Sequence, residues 1–329
     1  MKILYCDLNE ESHSESYSIS PKRYGGGRIF AAHAKEILNT NEDEFWLYSD
    51  KKSFEDITNL ERKDRCIELS YEDKDRLRKG EPIKNIIKDV DKFDLIFHHH
   101  TSYFLNLEEI KAKQSCWSLG VQEIINPSFQ YAIFYNSYQH PRITPNTNQL
   151  YAIIGKPIPD FKEYKKEDFI FQCTRHTSTF GSIQVASFCQ KYNIEAYFAG
   201  PIDKGYPLLD YIDNIKTHYL GIIPEETKNE YYKRARISTF IHSWHTPFNL
   251  SAIESLSYGT PIMATDVGFW NSLITPKNGF LVRDEKSFVD AYNNSLELKQ
   301  KDCWNTSAKY SVSNMISQFY KNFQIILAN

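Results

Sequence analysis

The sequence predicts an α/β protein with two doubly wound parallel sheets facing across a cleft, and three observations predict it. Short apolar runs alternate with stretches of helical periodicity along the chain. The alternation restarts after residues 155–168, beginning "GKPIPD", where two prolines and mixed charge have the composition of a hinge. The 329 residues also exceed what one core usually fills. The expected division is a first domain over 1–157, a second over 158–311, and a carboxyl-terminal helix over 312–329 that crosses back to the first.

In the first half, Ile3 to Leu8 reads as a strand. "RIFAAHAKEIL" follows, with Phe30, Ala34, Ile37 and Leu38 on one helical face. "FWLYS" at 45–49 is the next strand. The charged region 50–90 reads as helices on a solvated surface, its basic stretch "DRLRKGEPIKNIIKDVDKF" included. "DLIF" at 94–97 is a strand running into His98, His99 and His100, and "YAIFYNS" and "LYAIIG" are two more. The second half reads strand, helix, strand in "FIFQC", "GSIQVASFCQKY" and "EAYFAGP", then helix and strand in "EETKNEYYKRA" and "ISTFIHS". "PIMAT" and "NGFLV" are short strands, and "SFVDAYNNSL" and the last twenty residues are helical.

Composition excludes several classes. With 41% hydrophobic and 25% charged residues, the chain has the make-up of an ordered globular protein. A net charge of -3 gives no general attraction to nucleic acid or anionic lipid, so nucleic acid is not an expected partner. Membrane contact is at most peripheral, since no apolar run reaches spanning length. Six dispersed cysteines without a C-x-x-C pair indicate reduced thiols and a cytoplasmic setting.

The most informative stretch is "HTPFNLSAIESLSYGTPIMATDVG", residues 245–268. Asn249 and Ser251 are good N-cap residues and Pro247 stiffens the approach, so a helix is expected from about Ser251 to Tyr258, directly after a strand. Gly259 supplies the left-handed residue that stops it, and Thr260-Pro261 prevents continuation. Amide N–H groups and the positive end of the helix dipole at its start make an anion site, most naturally for phosphate. Glu254, one turn in, is a carboxylate able to accept hydrogen bonds from ribose hydroxyls.

Gly25, Gly26 and Gly27 allow close backbone approach to phosphate or sugar oxygens. They do not form G-x-G-x-x-G, because position 30 is Phe, so no nicotinamide or flavin is expected. His98, His99 and His100 alternate faces on a strand, so at most two converge, and no spaced partner ligands accompany them; no metal is expected.

The run from "YLGIIPEE" through "RARISTFIHS", "PFNLSAIESLSYGTPIMATDVG" and "NGFLV" resembles the donor-binding half of the family 4 (group 1) retaining glycosyltransferases. "GGGRIFAAHAKEIL", "DLIFHHHTS" and "QCTRHTSTFGS" resemble other parts of that family more loosely. The resemblance implies the GT-B fold of two Rossmann-like domains. It implies a metal-independent enzyme without a cofactor, taking a nucleotide-sugar, a UDP- or GDP-sugar, as cosubstrate and a glycan, glycolipid or other hydroxyl compound as acceptor.

It further implies a donor site of Thr246, Pro247, Phe248, Asn249, Leu250, Ser251 and Glu254, and a glycine loop at Gly25, Gly26 and Gly27. Arg175 is the implied cation for the leaving diphosphate, and His99 or His100 lines the reacting sugar. Domain closure about the hinge would exclude water.

Three positions depart from the family. Thr246 stands where the first of two glutamates is usual, Phe180 where a lysine follows the arginine, and Leu119 where a histidine is expected. Without the lysine, the helix at Asn249 must carry more of the phosphate charge, with His176 or His245 assisting. The rival readings are a degenerate, non-catalytic binding partner and a nucleotide-sugar epimerase.

Overall fold

The computed structural model describes residues 1–6, 44–49, 65–99, 106–107, 110–118, 129–134, 148–243 and 248–329. Its first strands are β1 (Lys2–Cys6), β2 (Glu44–Ser49) and β3 (Cys66–Glu68), followed by helix α1 (Tyr71–Arg78). Then come β4 (Leu95–His99), β5 (Lys113–Ser118), β6 (Tyr131–Phe134) and β7 (Asn148–Tyr151). The next elements are β8 (Glu167–Cys173), α2 (Ser182–Lys191), β9 (Glu195–Ala199), β10 (Thr217–Tyr219), α3 (Glu225–Arg234) and β11 (Ala235–Phe240). The chain continues through α4 (Leu250–Ser257), β12 (Ile262–Thr265), α5 (Trp270–Leu273), β13 (Gly279–Val282) and α6 (Glu285–Asn294). It ends with α7 (Gln300–Ala308) and α8 (Val312–Ala328).

Two compact units result, one of Met1–Pro157 with Ser311–Asn329 and the other of Ile158–Tyr310. The first sheet has the order β3-β2-β1-β4-β5-β6-β7 and the second β10-β9-β8-β11-β12-β13. Within each sheet the pairings are parallel, which makes both units doubly wound. Parallel strands covered on both faces need near-continuous apolar runs. Accordingly Ile3, Leu4, Tyr5 and Cys6 of β1 are buried in succession, as are Phe169, Ile170 and Phe171 of β8.

In the first unit, α8 packs onto β4, with the rings of Phe319 and Phe323 edge-on to Phe97 at 5.4 and 5.1 Å. Polar groups fix its register: the Ile153 N–H donates to Gln318 Oε1 at 2.9 Å, and Asn322 Nδ2 donates to the Tyr151 carbonyl at 2.9 Å. The basic stretch that begins in α1 is partly paired locally. Arg76 makes a fork onto Glu81 at 2.7 and 2.5 Å, and Lys79 pairs with Asp75 at 2.6 Å. No helix among the described residues is long and apolar enough to cross a membrane.

Candidate functional site

In the second sheet, chain order reverses between β8 and β11, so the segments leaving these neighbouring strands diverge and open a crevice at their carboxyl ends. The segment after β8 is laced to the one after β9. Thr174 N–H donates to the Ala199 carbonyl at 3.0 Å, His176 N–H to that of Pro201 at 2.8 Å, and Asp203 N–H to that of His176 at 3.0 Å. This close approach requires Gly200, at φ +123°, because a Cβ there would lie 2.0 Å from the Thr174 oxygen.

Arg175 sits between two of these laced residues. Its Nε donates to Asp203 Oδ1 at 2.5 Å, and the two side chains are 51% and 37% exposed. His176 points the other way, into the core, where its Nδ1 lies 2.7 Å from Ser182 Oγ and its ring meets Phe198 and Tyr219 edge-on. Burial pulls its imidazole down to about 4, so it is neutral at pH 7 and supplies no charge for phosphate. The expected assistance from His176 is therefore corrected: it supports the loop.

At the end of β11, His242 is buried between rings, edge-on to Phe180 at 4.6 Å and to Trp270 at 5.3 Å. Its backbone is clamped by Thr265, whose Oγ1 accepts from the His242 N–H at 2.9 Å and donates to its carbonyl at 2.8 Å. Burial pulls this imidazole down to about 3. Phe180, at the position where the resembled family has a lysine, thus belongs to an uncharged aromatic wall.

Helix α4 begins one residue earlier than the sequence suggests and is capped by Asn249, whose side chain accepts from the Ala252 N–H at 3.0 Å. It ends at Gly259, in the left-handed region at φ +69°. Ala252 to Ser257 are all buried, so the helix is a core element whose start lies beyond the end of β11. Phe248, just before the cap, packs against Phe269 and Tyr310 and so anchors the approach. Leu250 and Ser251 form the first turn, where amide groups point along the helix axis.

Glu254 pairs with Lys228 of α3 at 2.7 Å, the two side chains being only 10% and 12% exposed. Cys173, at the end of β8, and Tyr232, one turn after Lys228, both lie within reach of the Glu254 charge. Lys166 fastens the far ends of the same two helices. Its Nζ donates to the carbonyls of Lys233 at 2.9 Å and Tyr258 at 3.1 Å and to Thr260 Oγ1 at 2.5 Å. A cation at two helix carboxyl ends is favourable, while burial pulls the amine down to about 7.

Of the residues read from the sequence, Arg175, Phe248, Asn249, Leu250, Ser251 and Glu254 thus lie in the second unit, on or after β8 and at the start of α4. Gly25, Gly26, Gly27, His100, Leu119, His245, Thr246 and Pro247 lie outside the described residues, and His99 is described only as the backbone end of β4. Its neighbour His98 is fully buried, stacked on Phe129 at 5.1 Å and pulled down to about 4. Among the described residues no group of three His, Cys, Asp or Glu side chains is placed to hold a metal ion. Sequence reasoning missed Asp203, Lys228, His242 and Lys166 as functional candidates; Lys228 and His242 lie within the quoted segments "EETKNEYYKRA" and "RARISTFIHS", but nothing in their spacing marked them.

Two doubly wound parallel units are the architecture of the GT-B fold. Residues 183–297, within the second unit, match the family described as glycosyl transferases group 1. A search of curated protein sequences matched none.

Solved structures are similar over the whole chain. A glycosyltransferase from Rickettsia africae is 15% identical, with a TM-score of 0.71 over 100% of this chain and 99% of that one. Sucrose-phosphate synthase from Thermosynechococcus elongatus is 13% identical, with a TM-score of 0.70 and 100% of both chains covered. HepE of Anabaena, solved in complex with UDP-glucose, is 12% identical, with a TM-score of 0.66 over 98% of this chain and 99% of that one. At these identities the likeness establishes the shared fold.

Proposed function

We propose that this protein is a retaining glycosyltransferase that moves a sugar from a UDP- or GDP-sugar to a hydroxyl of a glycan, glycolipid or other acceptor, without a metal ion, in the cytoplasm. The observation that carries this reading is the Asn249-capped start of α4, an anion site that follows β11, while the half-exposed Arg175 follows the neighbouring strand β8. The leaving diphosphate binds at the first turn of α4, and Arg175 exchanges part of its contact with Asp203 for a phosphate oxygen. Fixed donors of this kind supply the largest share of such catalysis, roughly 3 kcal/mol for one good donor.

Glu254 accepts from the ribose hydroxyls. Thr246, Pro247, Phe248, Leu250 and Ser251 complete the donor site, and Gly25, Gly26, Gly27, His99 and His100 serve the acceptor side. The family, as the resemblance has it, and the nucleotide-sugar bound by HepE support a nucleotide-sugar donor here. A second reading, a non-catalytic nucleotide-binding partner, is favoured by Phe180, whose ring against His242 puts an apolar surface where a lysine is usual.

A screen of UDP-, GDP-, ADP-, CMP- and dTDP-sugars separates the readings, with thermal shift and nucleotide release measured together. Stabilisation by one donor with slow nucleotide release, and an α product from an α donor once an acceptor is supplied, is the expected result. Stabilisation with no release under any condition supports the non-catalytic reading. Return of a changed sugar still on its nucleotide identifies an epimerase.

A further inference from the structure

The Lys228–Glu254 pair has a property that a surface pair lacks. Both side chains are close to fully buried, 12% and 10% exposed, and their 2.7 Å contact bridges α3 to α4 beside the end of β8. A carboxylate in such a place is stable as an anion only with a cation held against it. Helix α4 fixes its backbone, and the ammonium holds its Oε2. The anchoring of Lys228 is equally firm, because Tyr232, the next residue on the same helix face, is wholly buried with its ring edge-on to Phe171 at 5.0 Å.

Charge balance at the start of α4 leads to the same residue. Glu254 lies in the second turn, where an unneutralised carboxylate would offset the positive end of the helix and repel an incoming diphosphate. Lys228 removes that conflict and leaves the helix end positive for the anion, and a carboxylate can accept from more than one donor at once.

We propose that Lys228 is a positioning residue for nucleotide recognition: by pairing with Glu254 it aims that carboxylate at the ribose and so sets the preference for ribonucleotides over 2′-deoxyribonucleotides. The inference rests on the reading of the α4 start as the nucleotide site. Lys228 itself acts through Glu254 and touches no reacting atom.

The test is calorimetric titration of UDP, GDP and their 2′-deoxy analogues into the wild type, Lys228→Met, Lys228→Arg, Glu254→Gln and the Lys228→Met/Glu254→Gln double variant. The wild type is expected to prefer the ribonucleotide by about tenfold or more, the worth of one hydrogen bond to a charged group. Lys228→Met is expected to lose that preference and Lys228→Arg to keep most of it. The double variant is expected to bind no worse than Glu254→Gln alone, because the two residues act as one unit.

A wild-type preference retained in Lys228→Met overturns the proposal while leaving the nucleotide site intact. A wild type that binds none of the four nucleotides overturns both this proposal and the functional reading beneath it. If Lys228→Met does not fold, Lys228→Gln, which keeps an N–H donor and most of the stem, carries the same comparison. An unchanged preference there, with Glu254→Gln also unchanged, overturns it.

Discussion

Arg175 and Asp203 meet in water, with side chains 51% and 37% exposed, whereas Lys228 and Glu254 meet where only 12% and 10% remain exposed. Both pairs stand near the carboxyl ends of the central strands of one sheet, yet solvent makes them different devices. Water screens the first pair and compensates either partner when the other leaves, so Arg175 can trade a carboxylate for a phosphate at small cost. The second pair has no such reserve: separating it strands a charge in a poorly solvated place. In the proposed function the exposed pair would serve exchange and the buried pair alignment.

The largest expected effect breaks the buried pair. Glu254→Ala leaves Lys228 without its counter-ion and is expected to cost about 3–5 kcal/mol of folding stability, read from urea denaturation. A loss below about 1 kcal/mol would put this pair in the same class as the exposed one.

Burial also predicts acid sensitivity. The imidazoles of His98, His176 and His242 are held at about 4, 4 and 3, below the ordinary value of 6.5. The unfolded chain therefore binds protons that the folded chain refuses, and stability falls as pH drops from 6.5 towards 4. Each such histidine contributes about 1.4 kcal/mol per pH unit in that window. His98→Phe, which keeps a ring against Phe129, is expected to flatten the slope of stability against pH, measured by denaturation between pH 7 and 4.5.

A smaller effect is expected at the helix start. Asn249→Ala removes the cap and is expected to cost about 1 kcal/mol of stability, together with weaker nucleoside diphosphate binding by calorimetry. Asn249→Ser is expected to restore both. The smallest effect on folding belongs to Asp203→Asn, at most about 1 kcal/mol. Its expected signature is kinetic, a changed turnover number as Arg175 loses its tether. Normal turnover in that variant would show that the exposed pair takes no part in exchange.

Much of the second unit was legible in the sequence, and the reason is local. The apolar run of β8, the face of α2, the Asn249 cap and the left-handed stop at Gly259 all depend on residues a few positions apart. Periodicity and capping state such relations directly. The region 50–90 was harder to read: a single regular α-helix, α1, is described there, with short turns and locally paired charges around it. Charged surface segments lack the apolar stripe that marks a helix. Strands β3, β5 and β10 and helices α5 and α7 also went unread, since none carries a strong periodic pattern.

The sequence by itself determined the α/β alternation, the division near residue 157 and the Asn249 cap at the start of α4, because these follow from spacing and residue type along the chain. Only the tertiary structure decided that Glu254 faces Lys228, that Arg175 rests on Asp203, that Lys166 ties the ends of α3 and α4, and that His176 is a buried neutral support. Those facts depend on which elements pack side by side and how much water reaches them. Partner and solvation, more than residue identity, then decide whether a charge is held, exchanged or absent.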